Sequence, residues 1–469
     1  MTLKAEKHLG IVIADGVGYR NFVLSDFCVE AIKNFDKVTI YFGLPAAIYN
    51  DLAIERVTIK ELPVFKESGK TWFFRKLKEV AHLQQHKADF YGIKANLAKN
   101  KPASNSKRAW LTRLVFKITS VFHSERNTEL FYKWQQKSFA ENEVTRMYLQ
   151  LLKEDEPDVL FFTHQRPPYL APLDYAAKKL GIKTSSFIFS WDNLPSKGRM
   201  AAPFDSFLVW SQLMKDELHF FYPQTKNQEV EVVGTPQFEP YVLERYASSK
   251  KSFYERFSLN PNLKTICYSC GDVSTSKNDG LYIKTIAEAL KNGKLPDLNF
   301  VVRTSPAEDG SRFSAINTDF PFIKWNFPKW HLTRENHPEP WSQRVPLVED
   351  LIDLRALLEY CDLNLNMCST MGLDFMLFDK PVINPVFGNA ENGLYDDQKY
   401  LRYGHYERVV ESGAVAVVKD EDELIDAINY SLENPLARLM QQKKLLDLQI
   451  GNPLSGTSKK IAKTLKKWA

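Results

Sequence analysis

Apolar residues fall along this chain in two alternating kinds of block. Unbroken apolar runs recur at Leu9–Ala14, Lys37–Phe42, Pro157–Phe162, Lys183–Phe189, Phe207–Trp210 and Val230–Val233. A second series follows at Thr265–Cys270, Leu298–Arg303, Leu363–Met367, Pro381–Pro385 and Gly413–Val418. Runs without polar alternation suit strands buried on both faces, as in a parallel sheet clad by helices. Between them the apolar spacing changes to three and four. Phe22, Val23, Phe27, Val29 and Ile32 read as one helix, and Leu347, Leu351, Leu354 and Leu358 as the stripe of another. The alternation predicts an α/β chain of two Rossmann-like doubly wound domains, and 469 residues suffice for two cores. The expected divisions are a first domain over 1–240, a linker over 241–262, a second domain over 263–440 and C-terminal helices over 441–469. Residues 319–346, rich in Trp, Pro and His, read as an irregular loop.

Residues 65–126 break the pattern and form a basic helical insertion in the first domain. One segment is Trp72-Phe73-Phe74-Arg75-Lys76-Leu77-Lys78. In the other, Trp110, Leu114, Ile118 and Phe122 are four apart, among Lys107, Arg108, Arg113 and Lys117. From Lys66 to Arg126, fourteen Lys/Arg stand against four Asp/Glu in a chain of net charge +5, so the remainder is acidic. These helices either cover the sheet with a basic outer face or dock on an anionic membrane surface. No nucleic-acid reading motif accompanies the charge, so no nucleic-acid partner is expected. No apolar run approaches the ~20 residues of a membrane span, and Met1–Lys7 holds no apolar signal core. A cytoplasmic place is expected, with peripheral attachment to the inner face of the membrane as its extension. Cys267 and Cys270 form a CxxC with no second pair to complete a zinc site, so buried reduced thiols are expected.

The most informative stretch is CDLNLNMCSTMGLDFMLFDKPVINPVF, from Cys361 to Phe387. It reads as strand, turn at Cys368-Ser369-Thr370, helix over about 371–378, and strand. Ser and Thr ahead of an apolar-periodic run are N-cap residues, and the helix start they open suits a phosphate. Asp374, one turn in, suits a ribose. The pattern Asp362…Ser369-Thr370-x-x-x-Asp374…Asp379-Lys380-Pro381-Val382-Ile383 resembles the donor-nucleotide segment of GT-B glycosyltransferases. It is also similar to that of nucleotide-sugar 2-epimerases and teichoic-acid glycerophosphotransferases. In those families the Ser/Thr pair holds the pyrophosphate, an acid (usually Glu) holds the ribose, and the segment ends in Gly-Lys-Pro-Val. Here the acid is Asp374 and Asp379 replaces the Gly.

The resemblance implies two domains facing across a cleft, a turn such as Gly234-Thr235-Pro236 leading out of the first, and a C-terminal helix returning to it. Ligands in such sheets sit outside the carboxyl ends of the strands. On that rule Asp15 with Gly16 and Gly18, His164 with Arg166, and Asp192 with Trp191 line the acceptor side. Ser269, Gly271, Asp272, Arg303, Ser369, Thr370 and Asp374 line the donor side, with Arg303 at a phosphate. A general base must reach an acceptor hydroxyl; Asp15 ranks first, His164 second, Asp192 third. Each has a plainer alternative: Asp15 fixing its Gly turn, His164 packed in a core, Asp192 capping 193–196. Asp420-Glu421-Asp422 has the spacing of a metal-holding acid pair but reads better as the acidic start of a helix. The expectation is a metal-independent transferase with no cofactor. It moves a sugar from a nucleotide-activated donor to a saccharide or lipid-linked acceptor in bacterial surface polysaccharide synthesis. A CDP-alditol phosphotransferase, a 2-epimerase and a non-catalytic nucleotide-binding module are the alternatives.

Overall fold

A computed structural model describes residues 6–49, 56–451 and 454–469. Met1 to Ala5, most of the stretch read above for a signal core, lie outside the described residues. The chain divides into two units. The first comprises the described parts of Met1–Glu239 with Leu332–Val345 and Gln449–Ala469, the second Pro240–His331 with Pro346–Leu448.

The first unit is built on seven parallel strands: β1 (His8–Ile13), β2 (Lys37–Phe42), β3 (Thr58–Glu61), β4 (Val159–Phe162), β5 (Lys183–Phe187), β6 (Ser206–Val209) and β7 (Glu229–Val232). Their order is β3-β2-β1-β4-β5-β6-β7. β1 and β4 lie side by side, Leu9 opposite Val159 and Val12 opposite Phe162. The chain runs outward in opposite directions from this pair, so their carboxyl ends form the topological switch point, where α/β sheets hold ligands. β3 escapes the apolar-run criterion because it is an edge strand without a fully buried residue.

The second unit carries β8 (Thr265–Ser269), β9 (Asn299–Arg303), β10 (Lys324–Asn326), β13 (Leu363–Leu365), β14 (Val382–Pro385) and β15 (Ala416–Val418). Its order is β10-β9-β8-β13-β14-β15, with the switch point between β8 and β13. Two further short strands, β11 (Trp330–Leu332) and β12 (Arg344–Pro346), pair with each other. The stretch 319–346 is thus less irregular than expected. The stretch 241–262, read as a linker, contains a helix at Lys250–Phe257 capped by Ser249.

The apolar pattern over 22–32 is not one helix but two, α1 (Gly16–Phe22) and α2 (Phe27–Asn34). On a continuous helix Phe22 and Phe27 would point about 140° apart. The break lets both rings meet Phe161 on β4, at 5.5 and 5.6 Å between centroids. At the break, the Asp26 amide donates to Glu239, whose carboxylate also receives the Ser458 hydroxyl and amide. The helix Thr457–Trp468 is thereby tied to the first unit.

The basic region forms α3 (Gly69–His86), α4 (Tyr91–Lys99) and α5 (Lys107–Thr119), followed by α6 (Glu125–Phe139) and α7 (Glu143–Asp155). Ser68, Ser106, Ser124 and Asn142 cap four of these five helices through their side chains, each cap contributing about 1 kcal/mol. α5 buries Ala109, Val115 and Thr119. The apolar face read as either covering the sheet or docking on a membrane is partly open, with Trp110 60% and, past the helix end, Phe122 53% exposed.

Gly16 opens α1 directly against the backbone of 344–345. A Cβ there would lie 1.6 Å from the Arg344 carbonyl oxygen. Gly16→Ala is therefore expected to destabilise the first unit by about 1–3 kcal/mol, read as a lower urea midpoint. An unchanged midpoint would show that the 344–345 segment does not pack here.

Candidate functional site

β1 ends in Ala14-Asp15, and Asp15 caps α1: its Oδ1 accepts from the Gly18 amide at 2.7 Å. An N-cap residue in the extended region points its carboxylate back over the helix start. The other oxygen, Oδ2, is 2.8 Å from Nδ1 of His164, which follows β4. One carboxylate thus joins the ends of the two strands at the switch point. The His164 ring stacks on Phe189, centroids 3.8 Å apart and planes 16° apart. A carboxylate only accepts, so Nδ1 carries the proton of this bond, and in the neutral ring the lone pair is left on Nε2. Asp15 and His164 are about 9% and 16% exposed at their side chains. Two of the three candidate bases therefore form one unit, an arrangement that orients an imidazole to take a proton.

The neighbours of this pair follow from close packing. Gly18 sits against the Thr163 hydroxyl, 3.1 Å from where a Cβ would be. Trp191 is buried and Arg166 half-buried. Asp192 precedes the short helix Asn193–Ser196 without capping it through its side chain. Its carboxylate receives Nδ2 of the Asn193 side chain at 3.0 Å and lies 3.1 Å from Lys197 Nζ. Tyr169, which sequence reading passed over, donates its hydroxyl to the Ala14 carbonyl at 3.0 Å and supports the turn that carries Asp15.

In the second unit the turn after β13 is held by a buried polar chain across three strands. Asn364 Nδ2 donates to the Cys267 carbonyl at 3.0 Å and to Ser269 Oγ at 2.9 Å. Asn366 Nδ2 donates to Asn364 Oδ1 at 2.7 Å, and Asn366 Oδ1 receives the Ser369 amide at 2.8 Å. Asn384 on β14 donates to the Asn366 carbonyl at 2.8 Å and receives the Tyr406 hydroxyl at 2.7 Å. Cys368 sits at φ +51°, a left-handed conformation that this chain of bonds enforces. The asparagines were legible as an anomaly, since LNLN places polar groups at alternate positions of a strand meant to be buried.

That turn differs from the expected phosphate seat. The Ser369 amide is taken by Asn366, and the Met371 amide donates to Ser369 Oγ at 3.3 Å. Thr370 occupies the N-cap with αR backbone and makes no side-chain cap bond. The Asp374 carboxylate, expected at a ribose, is buried and receives the Tyr241 hydroxyl instead. Arg303, expected at a phosphate, is 6% exposed and turned inward. Its Nη2 meets both oxygens of Asp350 at 3.0 Å, and its Nη1 donates to Asn326. A buried guanidinium whose carboxylate partner is bidentate is held in place by the cost of separating them.

After β8 the loop folds around Asp279, a residue with no sequence signal beyond its place ahead of a helix. Asp279 is fully buried and accepts from Tyr268 Oη and Ser276 Oγ at 2.7 Å each, from the Gly271 amide at 3.0 Å and from Arg312 at 2.9 Å. Gly271 admits no side chain, a Cβ being 2.7 Å from that of Ser276. Ser269 is buried beneath it, while Asp272 is exposed and accepts from the Ser274 amide. Asp420 caps the helix Glu421–Glu433 and receives the Glu423 amide at 2.8 Å, as expected of an acidic helix start. Among the described residues, no group of three or more His, Cys, Asp or Glu is placed to hold a metal ion.

No family model matches the sequence, and no curated protein is significantly similar to it. Solved structures do resemble it. UDP-GlcNAc 2-epimerase from Methanocaldococcus jannaschii superposes with a TM-score of 0.53 at 12% identity, covering 98% of this chain and 99% of that one. S. aureus MnaA in a co-structure with UDP gives 0.51 at 11%, covering 98% and 96%. An Os79 variant from O. sativa in complex with UDP gives 0.50 at 12%, covering 99% and 100%. With two parallel-sheet α/β domains and these neighbours, the chain has the GT-B fold.

Asp279 yields a pH test. Burial outweighs its hydrogen bonds and Arg312, pushing its carboxyl up from 3.8 to about 6. A raised carboxyl holds its proton longer in the folded state, so its contribution to stability is present below about pH 4 and lost as pH rises through about 6. The stability of the wild type relative to Asp279→Asn is expected to fall by up to about 3 kcal/mol between pH 4 and 7. Denaturant titrations of both proteins check this, and a difference flat across that range would contradict it.

Proposed function

We propose that this chain is a glycosyltransferase that moves a sugar from a nucleotide-activated donor to an acceptor hydroxyl, with His164 as general base and Asp15 as its positioning partner. The observation that carries the proposal is the Asp15–His164 pair at the switch point of the first sheet. His164 Nε2 takes the acceptor proton, the acceptor oxygen bonds to the anomeric carbon, and the nucleoside diphosphate departs with the electron pair of the bond it loses. Asp15, with one oxygen fixed on the Gly18 amide, keeps the imidazole in the tautomer that accepts and stabilises the imidazolium. This inverts the order of candidates read from the sequence, where the acid ranked above the histidine.

The donor nucleotide is assigned to the carboxyl ends of β8 and β13 in the second unit, at the loop held by Asp279 and the turn held by Asn366. UDP is the nucleotide to test first, since two of the neighbours were solved with it. No metal or cofactor is assigned. The acceptor is a saccharide or a lipid-linked sugar of a bacterial surface polysaccharide, met at the inner face of the membrane. What supports that place is the exposed Trp110 on α5 and the exposed Phe122 just past its end, among Lys107, Arg108, Arg113 and Lys117. No helix of the described residues is long and apolar enough to cross a membrane. A second reading, 2-epimerisation of the nucleotide sugar, is favoured by the epimerase among the neighbours.

The expected outcome is UDP release from a UDP-sugar that depends on an added acceptor. His164→Ala should lower kcat by ~10²–10⁴-fold while leaving the thermal shift induced by UDP unchanged. Conversion of the donor with no acceptor present would favour epimerisation. Full turnover by His164→Ala would remove the assigned base.

A further inference from the structure

The first unit contains a cavity of about 640 Å³ lined by the first turns of α3 and α5. Phe65, Trp72 and Leu111 give it an apolar wall, and the exposed Lys66, Lys107 and Arg108 line it as well, beside the acids Glu67 and Glu339. None of these three cations has an ion pair among the described residues, whereas Arg75, also on the wall, is neutralised by Glu67 and Glu79 at 2.8 Å each. Arg108 is held over the Trp72 ring at 4.9 Å, which orients its charge without neutralising it.

Two further observations give the cavity a sign and a place in the fold. Neither α3 nor α5 has an acid in its first turn; Lys70, Lys107 and Arg108 are there instead. A cation at the positive end of a helix opposes the macrodipole, and an anion seated between such ends satisfies both. The wall also includes Tyr169, bonded to the carbonyl next to Asp15, and Glu339, whose carboxyl is pushed up chiefly by burial. Through Tyr169 the cavity wall is joined to the turn that carries Asp15.

We propose that this cavity holds the phosphate of a phosphorylated acceptor, a phosphate ester on a sugar or on a lipid, and presents the sugar hydroxyl to His164. The inference rests on the glycosyl-transfer reading and names the acceptor class for it. Lys66, Lys107 and Arg108 meet the phosphate oxygens, and Phe65, Trp72 and Leu111 meet the apolar part of the ester. No bond to that phosphate forms or breaks in the reaction.

The test is direct binding to the full chain, by calorimetry for glucose 1-phosphate against methyl glucoside. Co-sedimentation with phosphatidylcholine vesicles then compares polyprenyl phosphate with polyprenol. At least one phosphate is expected to bind ten-fold or more tightly than its neutral counterpart, and to weaken as salt rises from 50 to 300 mM. Lys107→Glu combined with Arg108→Glu should weaken that binding ten-fold or more. Lys66→Glu, on an exposed residue outside any helix, gives the same readout if the double variant does not fold. Tight binding of the sugar phosphate points to a soluble acceptor, and binding of the lipid phosphate alone to a lipid-linked one. Either result supports the proposal. Phosphates bound no better than the neutral compounds, or folded variants that bind them like the wild type, would overturn it. Because binding is read without turnover, its failure is distinct from failure of acceptor-dependent UDP release.

Discussion

The carboxylate of Asp15 does two jobs that the chemistry needs done together. One oxygen completes the start of α1 and the other sets the ring of His164, so the position of the base is inherited from the sheet. Both oxygens have partners, and rotation of the side chain would break a helix cap as well as the hydrogen bond to His164. That coupling makes a short-lived alignment into a fixed one. The close approach of Gly16 to the Arg344 carbonyl and the bond from Tyr169 to Ala14 hold the same turn from two other sides. A base set on the ends of two adjacent strands is more exactly placed than one on a loop.

The second unit solves a similar problem with neutral groups. Its turn after β13 is fixed by three asparagines bonded in series, each buried and each with its amide hydrogens or carbonyl engaged. A buried amide network is stable only when it is complete, which ties the left-handed backbone at Cys368 to residues three strands wide. Asp279 gathers the loop after β8 in the same manner, though as an acid whose burial is only partly offset by Arg312. The two loops at the switch point of this sheet are consequently shaped from beneath, by side chains that a ligand would not touch.

The fold was largely legible in the sequence because apolar runs are a direct readout of strands covered on both faces. β3 escaped that logic as a half-open edge strand, and the split between α1 and α2 escaped it because a periodic pattern does not report where the backbone bends to bring Phe22 and Phe27 onto one ring. Asp15 and His164 were legible as residues following strands; that they meet was not, since strand order decides it and β1 and β4 are separated by the whole helical region. Arg303 shows the opposite failure. Its place at a strand end is shared by ligand-binding and structural arginines alike, and only the position of Asp350, on the helix Val348–Tyr360, distinguishes them. Asp374 was read as meeting a ribose from one turn into its helix, whereas its carboxylate is buried and receives the Tyr241 hydroxyl.

The most direct measurement is the imidazole ¹⁵N NMR spectrum of the intact chain, with His164 assigned by its loss in His164→Ala. The account predicts that the neutral ring carries its proton on Nδ1, with redistribution of the two tautomers in Asp15→Asn. A neutral ring with its proton on Nε2, or a His164 spectrum indifferent to Asp15→Asn, would contradict it.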